Sequence, residues 1–356
     1  MALHYYARQW ISEHQVHVIA VHSPNILELP AHVRNPLPSN FVLDGVRISN
    51  RTMLRLPGGL NVYPSFLPEF IEQFDLLIGH MPVGAALAWR LSKKFEKPFI
   101  QGIHYTDFKR SGVRSGILSR KYNRMLSHAS AISFRSSFLQ GKFEAVLPEI
   151  SSRSFLMSGG VDSIWLEKPG SRVFDFAEND LNVLTVAQLI ERKNIDKVIG
   201  SLKAIKSADW EYRVVGSGPQ RDRLLGLSER SGVDMKISFE GFLSNHQVMD
   251  QMDHSDVFVM ISEHETFGLV YLEAMARGCL VIATSQGGVA GIVKDGENGF
   301  LCDPNEEALS AVLNRILKMS PSQLSKISAQ AKNTAEKYTY PILSNSYLEN
   351  LDLLLH

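Results

Sequence analysis

Short apolar runs alternate with stretches of helical periodicity along most of this chain, and that alternation restricts its fold more than any other feature. The runs are Val16-His-Val-Ile-Ala-Val21, Leu76-Leu-Ile78, Phe99-Ile100, Ala131-Ile-Ser133, Val183-Leu-Thr-Val186, Arg213-Val-Val215, Val257-Phe-Val259 and Leu280-Val-Ile-Ala283. Strands of this length separated by helices are the signature of βαβ units, so the fold class is α/β with parallel, doubly wound sheets. At 356 residues the chain exceeds the size at which a single core stops growing, which predicts two domains. Ser158-Gly-Gly-Val-Asp162 and Glu167-Lys-Pro-Gly170 interrupt the pattern and put the boundary near residue 160.

Charge narrows the function classes. Lys and Arg together number 37 and Asp and Glu 37, so the formal charge is zero, which argues against a chain built to hold nucleic acid through its phosphates. The distribution is uneven: residues 1–160 hold 18 Lys/Arg against 10 Asp/Glu, and residues 161–356 offset that excess. A basic N-terminal half suits an anionic acceptor or peripheral contact with a membrane surface, although scattered solvated lysines give the same count. Cys279 and Cys302 offer neither a disulfide framework nor metal-ligand spacing, which fits a reducing compartment. No apolar stretch reaches membrane-spanning length, and the first residues lack the pattern of a secretory signal, so a cytoplasmic protein is expected.

The segment Ser262-Glu-His-Glu-Thr-Phe-Gly-Leu-Val-Tyr-Leu-Glu-Ala-Met-Ala276 carries the strongest chemical signal. It follows the apolar run Asp256-Val-Phe-Val-Met-Ile261, and a helical pattern at Leu269, Leu272, Met275 and Ala276 begins after Gly268, so it reads as strand, loop and helix opening. The unpaired amides near Gly268 and Leu269 suit a phosphate. Glu265 lies in the loop, and Glu273 lies further along the helix as an acceptor for hydroxyls. Diphosphate with hydroxyls points to a nucleotide sugar. Two solvated acids are the plain alternative for any such pair, since glutamate is mostly exposed.

From Ser262 to Pro304 the chain resembles the E-x7-E region of retaining GT-B glycosyltransferases, the glycogen-synthase-like family 4, and the likeness extends from about His4 to the C-terminus. The resemblance implies two Rossmann-like domains with a cleft between them: residues 1–160 on the acceptor side, 161–336 on the nucleotide-sugar side, and 337–356 as a helix that crosses back to the N-terminal domain. It implies that Glu273 binds ribose and that Glu265 sits beside the transferred sugar, with Phe267, Gly268 and Leu269 in the same donor loop. Val186-Ala-Gln-Leu-Ile-Glu-Arg-Lys-Asn194 resembles the family's Gly-Arg-Leu-x-x-x-Lys-Gly phrase; Lys193 matches the lysine that neutralises the diphosphate, while Gln188 replaces the arginine. Glutamine donates a hydrogen bond without charge, so donor binding weakens unless Arg192 compensates.

Val215-Gly-Ser-Gly-Pro-Gln-Arg221 lacks the third glycine of a dinucleotide fingerprint and resembles the family's Gly-x-Gly-Pro turn, which places Gly216 near the donor. Phe242 and Leu243 fall where family members hold the nucleobase. Gln286-Gly-Gly-Val-Ala-Gly291 parallels a family segment in which Gly291 stands for a glutamate. Gln101-Gly-Ile-His-Tyr-Thr-Asp107 resembles a strand-end His-Gly-x-Asp, which makes His104 a catalytic candidate with Asp107 nearby and His80 a weaker one at the preceding strand end. Lys109, Arg110, Arg114, Arg120, Lys121 and Arg124 form the densest basic stretch and are candidates to meet a phosphorylated lipid acceptor.

The implied activity is retaining transfer from a nucleoside-diphosphate sugar to a sugar or lipid-linked saccharide acceptor, in bacterial surface polysaccharide or lipopolysaccharide synthesis. No cofactor is expected, and the absence of Asp-x-Asp predicts no bound metal. The alternatives are a nucleotide-sugar epimerase or hydrolase of the same fold, and an inactive partner subunit of a transferase. One conflict stands out. His4-Tyr-Tyr-Ala-Arg-Gln-Trp10 before Val16 resembles the family's first helix and second strand, so the first strand and its glycine turn are missing from the pattern. Either the chain starts upstream or the domain is rearranged, and a gap or substitute strand is expected beside residues 16–21.

Overall fold

The computed structural model describes residues 2–10, 12, 14–22, 40–43, 46–52, 54–55, 61–62, 68–167, 172–176, 179–263, 265, 267–285, 287–289 and 291–355. The chain divides into two compact units. The N-terminal unit comprises Met1–Arg135, Leu139–Ser158 and Tyr340–His356; the C-terminal unit comprises Ser136–Phe138 and Gly159–Thr339.

In the N-terminal unit the strands are β1 (His17–His22), β2 (Asn40–Leu43), β3 (Val46–Thr52), β4 (Leu54–Arg55), β5 (Asn61–Val62), β6 (Leu77–His80), β7 (Phe99–Ile103), β8 (Ala131–Phe134) and β9 (Ser154–Leu156). Its helices are α1 (Ala2–Trp10), α2 (Pro68–Glu72), α3 (Met81–Phe95), α4 (Tyr105–Ser111), α5 (Arg120–His128) and α6 (Ser137–Glu144), the last of which begins in the three-residue piece Ser136–Phe138 of the other unit. Strands β6 to β9 form a parallel four-stranded sheet in sequence order. Both β7 and β8 are buried throughout, although Gln101 and Ser133 interrupt their apolar runs.

Strand β1 lies in a separate sheet of order β1-β3-β2, parallel to β3, and among the described residues no strand joins β1 to β6. The described residues before β1 form helix α1 and not a strand. Among the described residues, then, β1 pairs only with β3, and no strand precedes it. Sequence reading did not find β2 to β5, β9 or the C-terminal unit's last strand, which are only two to seven residues long.

After the C-terminal unit the chain continues as a helix, Tyr340–Leu355, that belongs to the N-terminal unit. Its Tyr347 ring packs 5.0 Å from both Trp10 and Phe155 and 5.9 Å from Tyr6. Edge-to-face rings of this kind bury large apolar areas and fix the helix on α1 and β9. The Tyr6 hydroxyl donates to the Ser158 carbonyl at 3.0 Å, tying α1 to the last residue before the domain boundary.

The C-terminal unit holds β10 (Leu181–Val186), β11 (Trp210–Val215), β12 (Ile237–Gly241), β13 (Val257–Met260), β14 (Leu280–Thr284) and β15 (Phe300–Cys302). Its helices are α7 (Ile195–Lys203), α8 (Arg221–Ser231), α9 (Asn245–Asp253), α10 (Leu269–Ala276), α11 (Glu306–Lys318) and α12 (Pro321–Glu336), which makes the Tyr340–Leu355 helix α13. The described strands form one parallel sheet of order β12-β11-β10-β13-β14-β15. Successive side chains point to opposite faces. Val183, Val257, Val259 and Ile282 enter one core with α7 and α11, whereas Leu184, Phe258, Met260 and Ala283 enter the other with α9 and α10. Among the described residues no helix is long and apolar enough to cross a membrane.

One turn shows why a small residue is required. Gly216 follows β11 with φ at 131°, and a Cβ there would stand 1.9 Å from the Ala187 carbonyl oxygen. The two strand-end loops after β10 and β11 thus touch backbone to backbone. Two stability outcomes follow from this packing. Tyr347→Ala will lower the chemical-denaturation midpoint by the equivalent of about 3–5 kcal/mol, the range for loss of a large buried ring. Gly216→Ala will also destabilise, by about 1–3 kcal/mol through backbone strain, and an unchanged thermal midpoint would contradict the contact with Ala187.

Candidate functional site

Parallel strands bring the loops after their carboxyl ends to one edge of the sheet, and the segment after β13 supplies the candidate donor site. Helix α10 starts at Leu269 behind Gly268, which is left-handed at φ 74° and provides no side-chain cap. The first amides of α10 are therefore not consumed by a capping side chain, and they carry the positive end of the helix dipole.

Glu265 is held from two sides. Lys193 Nζ lies 2.6 Å from its Oε2 and Arg192 Nη1 lies 3.4 Å from the same oxygen. Lys193 also reaches Met260 Sδ at 3.3 Å, so its aliphatic stem runs beneath the end of β13. Burial pulls the Lys193 ammonium below the ordinary lysine range, and the Glu265 carboxylate acts in the opposite direction. The charge is kept in a partly dry place because a partner carboxylate stands beside it.

The backbone explains how Lys193 gets there. Glu191–Lys193 form one 3-10 turn that ends at Asn194, left-handed at φ 53°, whose side-chain amide donates to the Ile261 carbonyl at 2.8 Å. The Glu263 amide donates in turn to the Arg192 carbonyl at 2.9 Å. On the other side the Gly288 amide donates to the Glu265 carbonyl at 2.8 Å. Loops 187–194, 261–268 and 285–289 are thereby fastened together around Glu265. Asn194 was not singled out from sequence; the signal was present, since asparagine tolerates the left-handed region better than most residues.

Glu273 lies on the second turn of α10 and has a different environment. Its carboxyl is pushed up to about 7, with burial as the cause. No hydrogen bond or ion pair satisfies it among the described residues, whereas ordinary buried carboxylates are paired. A partner supplied from outside the chain would remove that deficit.

The other donor-side candidates separate. Gln188 is exposed and Phe242 is 85% exposed at the end of β12, so both are open to a ligand. Gly216 is explained by its contact with Ala187. Phe267 is a correction to the sequence reading: it is 4% exposed and packs 6.3 Å from Tyr338 in the second core, so its ring does not face a ligand. Leu243 likewise packs against that core, as does the Leu269 side chain, which leaves their backbone groups for contact.

In the N-terminal unit, His80 at the end of β6 and His104 at the end of β7 meet, with His80 Nδ1 3.2 Å from His104 Nε2. Burial drives both imidazoles toward the neutral form, His104 to about 4, and the nearby Arg135 guanidinium adds to the effect. One neutral ring donates to the other, and strand adjacency, not spacing in the sequence, creates the pair. Asp107 is not available to a ligand. It is fully buried, accepting from the His104 amide and the Tyr122 hydroxyl, each at 2.9 Å, and burial raises its carboxyl to about 6. Arg135, also missed from sequence, directly follows β8 and is buried, donating to the carbonyls of Met157 and Ser158 at 3.2 and 3.4 Å.

Residues 170–336 match the family described as Glycosyl transferases group 1. An uncharacterized glycosyltransferase of Methanocaldococcus jannaschii is 25% identical over 76% of this chain and 73% of its own length. The glycosyltransferase WcaL of Salmonella typhimurium, named for colanic acid biosynthesis, is 30% identical over 43% of this chain and 40% of its own length. Among solved structures, Anabaena HepE in complex with UDP superimposes with a TM-score of 0.72 at 17% identity, covering 99% of this chain and 95% of that one. The chain has the two-domain GT-B fold, and its residues 170–336 belong to the glycosyl transferases of group 1.

Proposed function

We propose that this protein moves a sugar from a nucleoside diphosphate to an acceptor hydroxyl with retention at the anomeric carbon. The observation that carries the reading is Glu273: a half-buried carboxyl without a partner among the described residues, one turn inside a helix whose first amides no side chain caps. Ribose hydroxyls supply the missing donors, and a diphosphate suits the helix start. Phe242, exposed beside that edge, offers its face to the base.

In the reaction, the bond from the anomeric carbon to the diphosphate oxygen breaks, an acceptor oxygen takes its place, and the acceptor proton is released. Negative charge grows on the departing diphosphate. Lys193, Arg192 and the α10 amides stabilise it, with Arg192 supplying the guanidinium charge that Gln188 lacks. When donor enters, Glu265 exchanges part of its contact with Lys193 for sugar hydroxyls. These cations do the neutralising work, so no resident metal is needed, and activity should survive a chelator.

The acceptor class is a sugar or lipid-linked saccharide in the making of a bacterial surface polysaccharide, a reading supported by the likeness to WcaL. Gln188 favours a second reading, an inactive partner subunit. Turnover decides between the two, because a partner subunit would bind nucleotide and consume no nucleotide sugar.

Three outcomes test the site. Glu273→Ala will weaken UDP binding in calorimetry by about 1–3 kcal/mol, the cost of lost buried hydrogen bonds; equal affinities would remove Glu273 from the donor site. The ionised carboxylate is the stronger acceptor, so affinity will rise between pH 6 and 8 as Glu273 loses its proton near 7, and Glu273→Gln will flatten that rise. NMR of the product will show the donor's anomeric configuration. An inverted product would contradict the mechanism.

A further inference from the structure

Residues 77–128 carry ten Lys/Arg against two Asp/Glu, and one of those acids, Asp107, is fully buried. The other, Glu96, caps the far end of α3. Lys93, Lys94, Lys109, Arg110, Lys121 and Arg124 are exposed on α3, α4 and α5. Charges from all three helices approach one another at Lys121: its ammonium is held below its ordinary range, first by burial and then by Arg90 of α3 and Arg110 of α4. Cations set together at such a cost mark a face that gains from an anionic partner.

Two further features give that face a shape. Between α3 and α5 runs a groove of about 390 Å³ lined by Trp89, Lys93, Asn123, Arg124, Ser127 and His128. Lys93 Nζ stands 5.6 Å from the centre of the Trp89 ring, and the buried Trp89 indole N–H has no hydrogen-bond acceptor among the described residues. His128 Nε2 is 3.0 Å from Ser92 Oγ, which anchors the end of α5 to α3. At the tip of the loop joining α4 to α5, Ile117 is 74% exposed between the basic segments.

We infer that this face docks on an anionic lipid bilayer, with the groove between α3 and α5 seating a phosphate of the headgroup and Ile117 entering the interface. Lys93 and Arg124 supply charge, and Asn123 and Ser127 add donors for phosphate oxygens. Tryptophan suits the headgroup level because its ring is apolar and its N–H polar. A flexible polyanion such as nucleic acid would use the cations but leaves the exposed isoleucine without a purpose. The inference concerns the N-terminal unit and stands whether or not the donor reading holds.

The test is sedimentation of the purified full chain with vesicles. Binding is expected to vesicles containing phosphatidylglycerol, little to phosphatidylcholine alone, and less as salt rises. Each cation near such a surface contributes about 1 kcal/mol, or roughly fivefold, so Lys93→Gln with Arg124→Gln will weaken partitioning about 25-fold. Ile117→Ser will weaken it in high and low salt alike. Calorimetric UDP affinity of the same variants will be unchanged, which separates this surface from the donor site. Equal binding to both vesicle types, vesicle binding indifferent to the Lys93 and Arg124 changes, or tighter binding to a single-stranded oligonucleotide would each overturn the proposal. Vesicle binding abolished by millimolar glycerol 3-phosphate would also overturn it, by assigning the groove to a soluble phosphate.

Discussion

The described strands of the C-terminal sheet all run one way, and this single constraint organises the candidate site. Parallel strands need crossovers, crossovers put helices on both faces, and the covered faces then leave the central β13 wholly apolar and β14 apolar but for its last residue, while β11 and β12 toward the sheet edge keep polar positions. The carboxyl ends of β10, β11, β12, β13 and β14 all open on one edge, so loops distant in sequence come together there. The fastening of Asn194 to Ile261, Glu263 to Arg192 and Gly288 to Glu265 is the local result.

Two unfavourable placements are maintained at that edge. Lys193 is buried with one carboxylate for company, and Glu273 is half-buried with none among the described residues. Core packing alone would favour apolar residues of similar size at both positions. Their retention is intelligible if a ligand with hydroxyls and a negatively charged group completes them, and this is an argument from the site, not from the fold, since the same sheet serves many chemistries.

The N-terminal unit shows a different balance. Its β6–β9 sheet is regular and its polar strand-end residues converge as in the other unit, with His80 and His104 paired and Arg135 beside them. The sheet that holds β1 stands apart from β6 among the described residues. Aromatic packing of α13 on α1 and Phe155 adds cohesion from the far end of the sequence, where Tyr340, Tyr347 and Leu351 form a core with Tyr6 and Met157. Such long-range closure has no signature in local periodicity.

The sequence by itself determined strands β10, β11, β13 and β14, the strand-loop-helix passage around Glu265 and Glu273, and the parallel α/β class, because apolar periodicity and glycine-marked turns are local properties. The order of the strands, the pairing of Lys193 with Glu265, the meeting of His80 with His104 and the burial of Phe267 and Asp107 were decided only in three dimensions. Phe267 shows why: Phe267-Gly268 reads as an exposed loop, yet its ring fills a space left by Gly159, more than a hundred residues earlier. Burial depends on which segments a residue meets, and a chain carries that information only in its folded contacts.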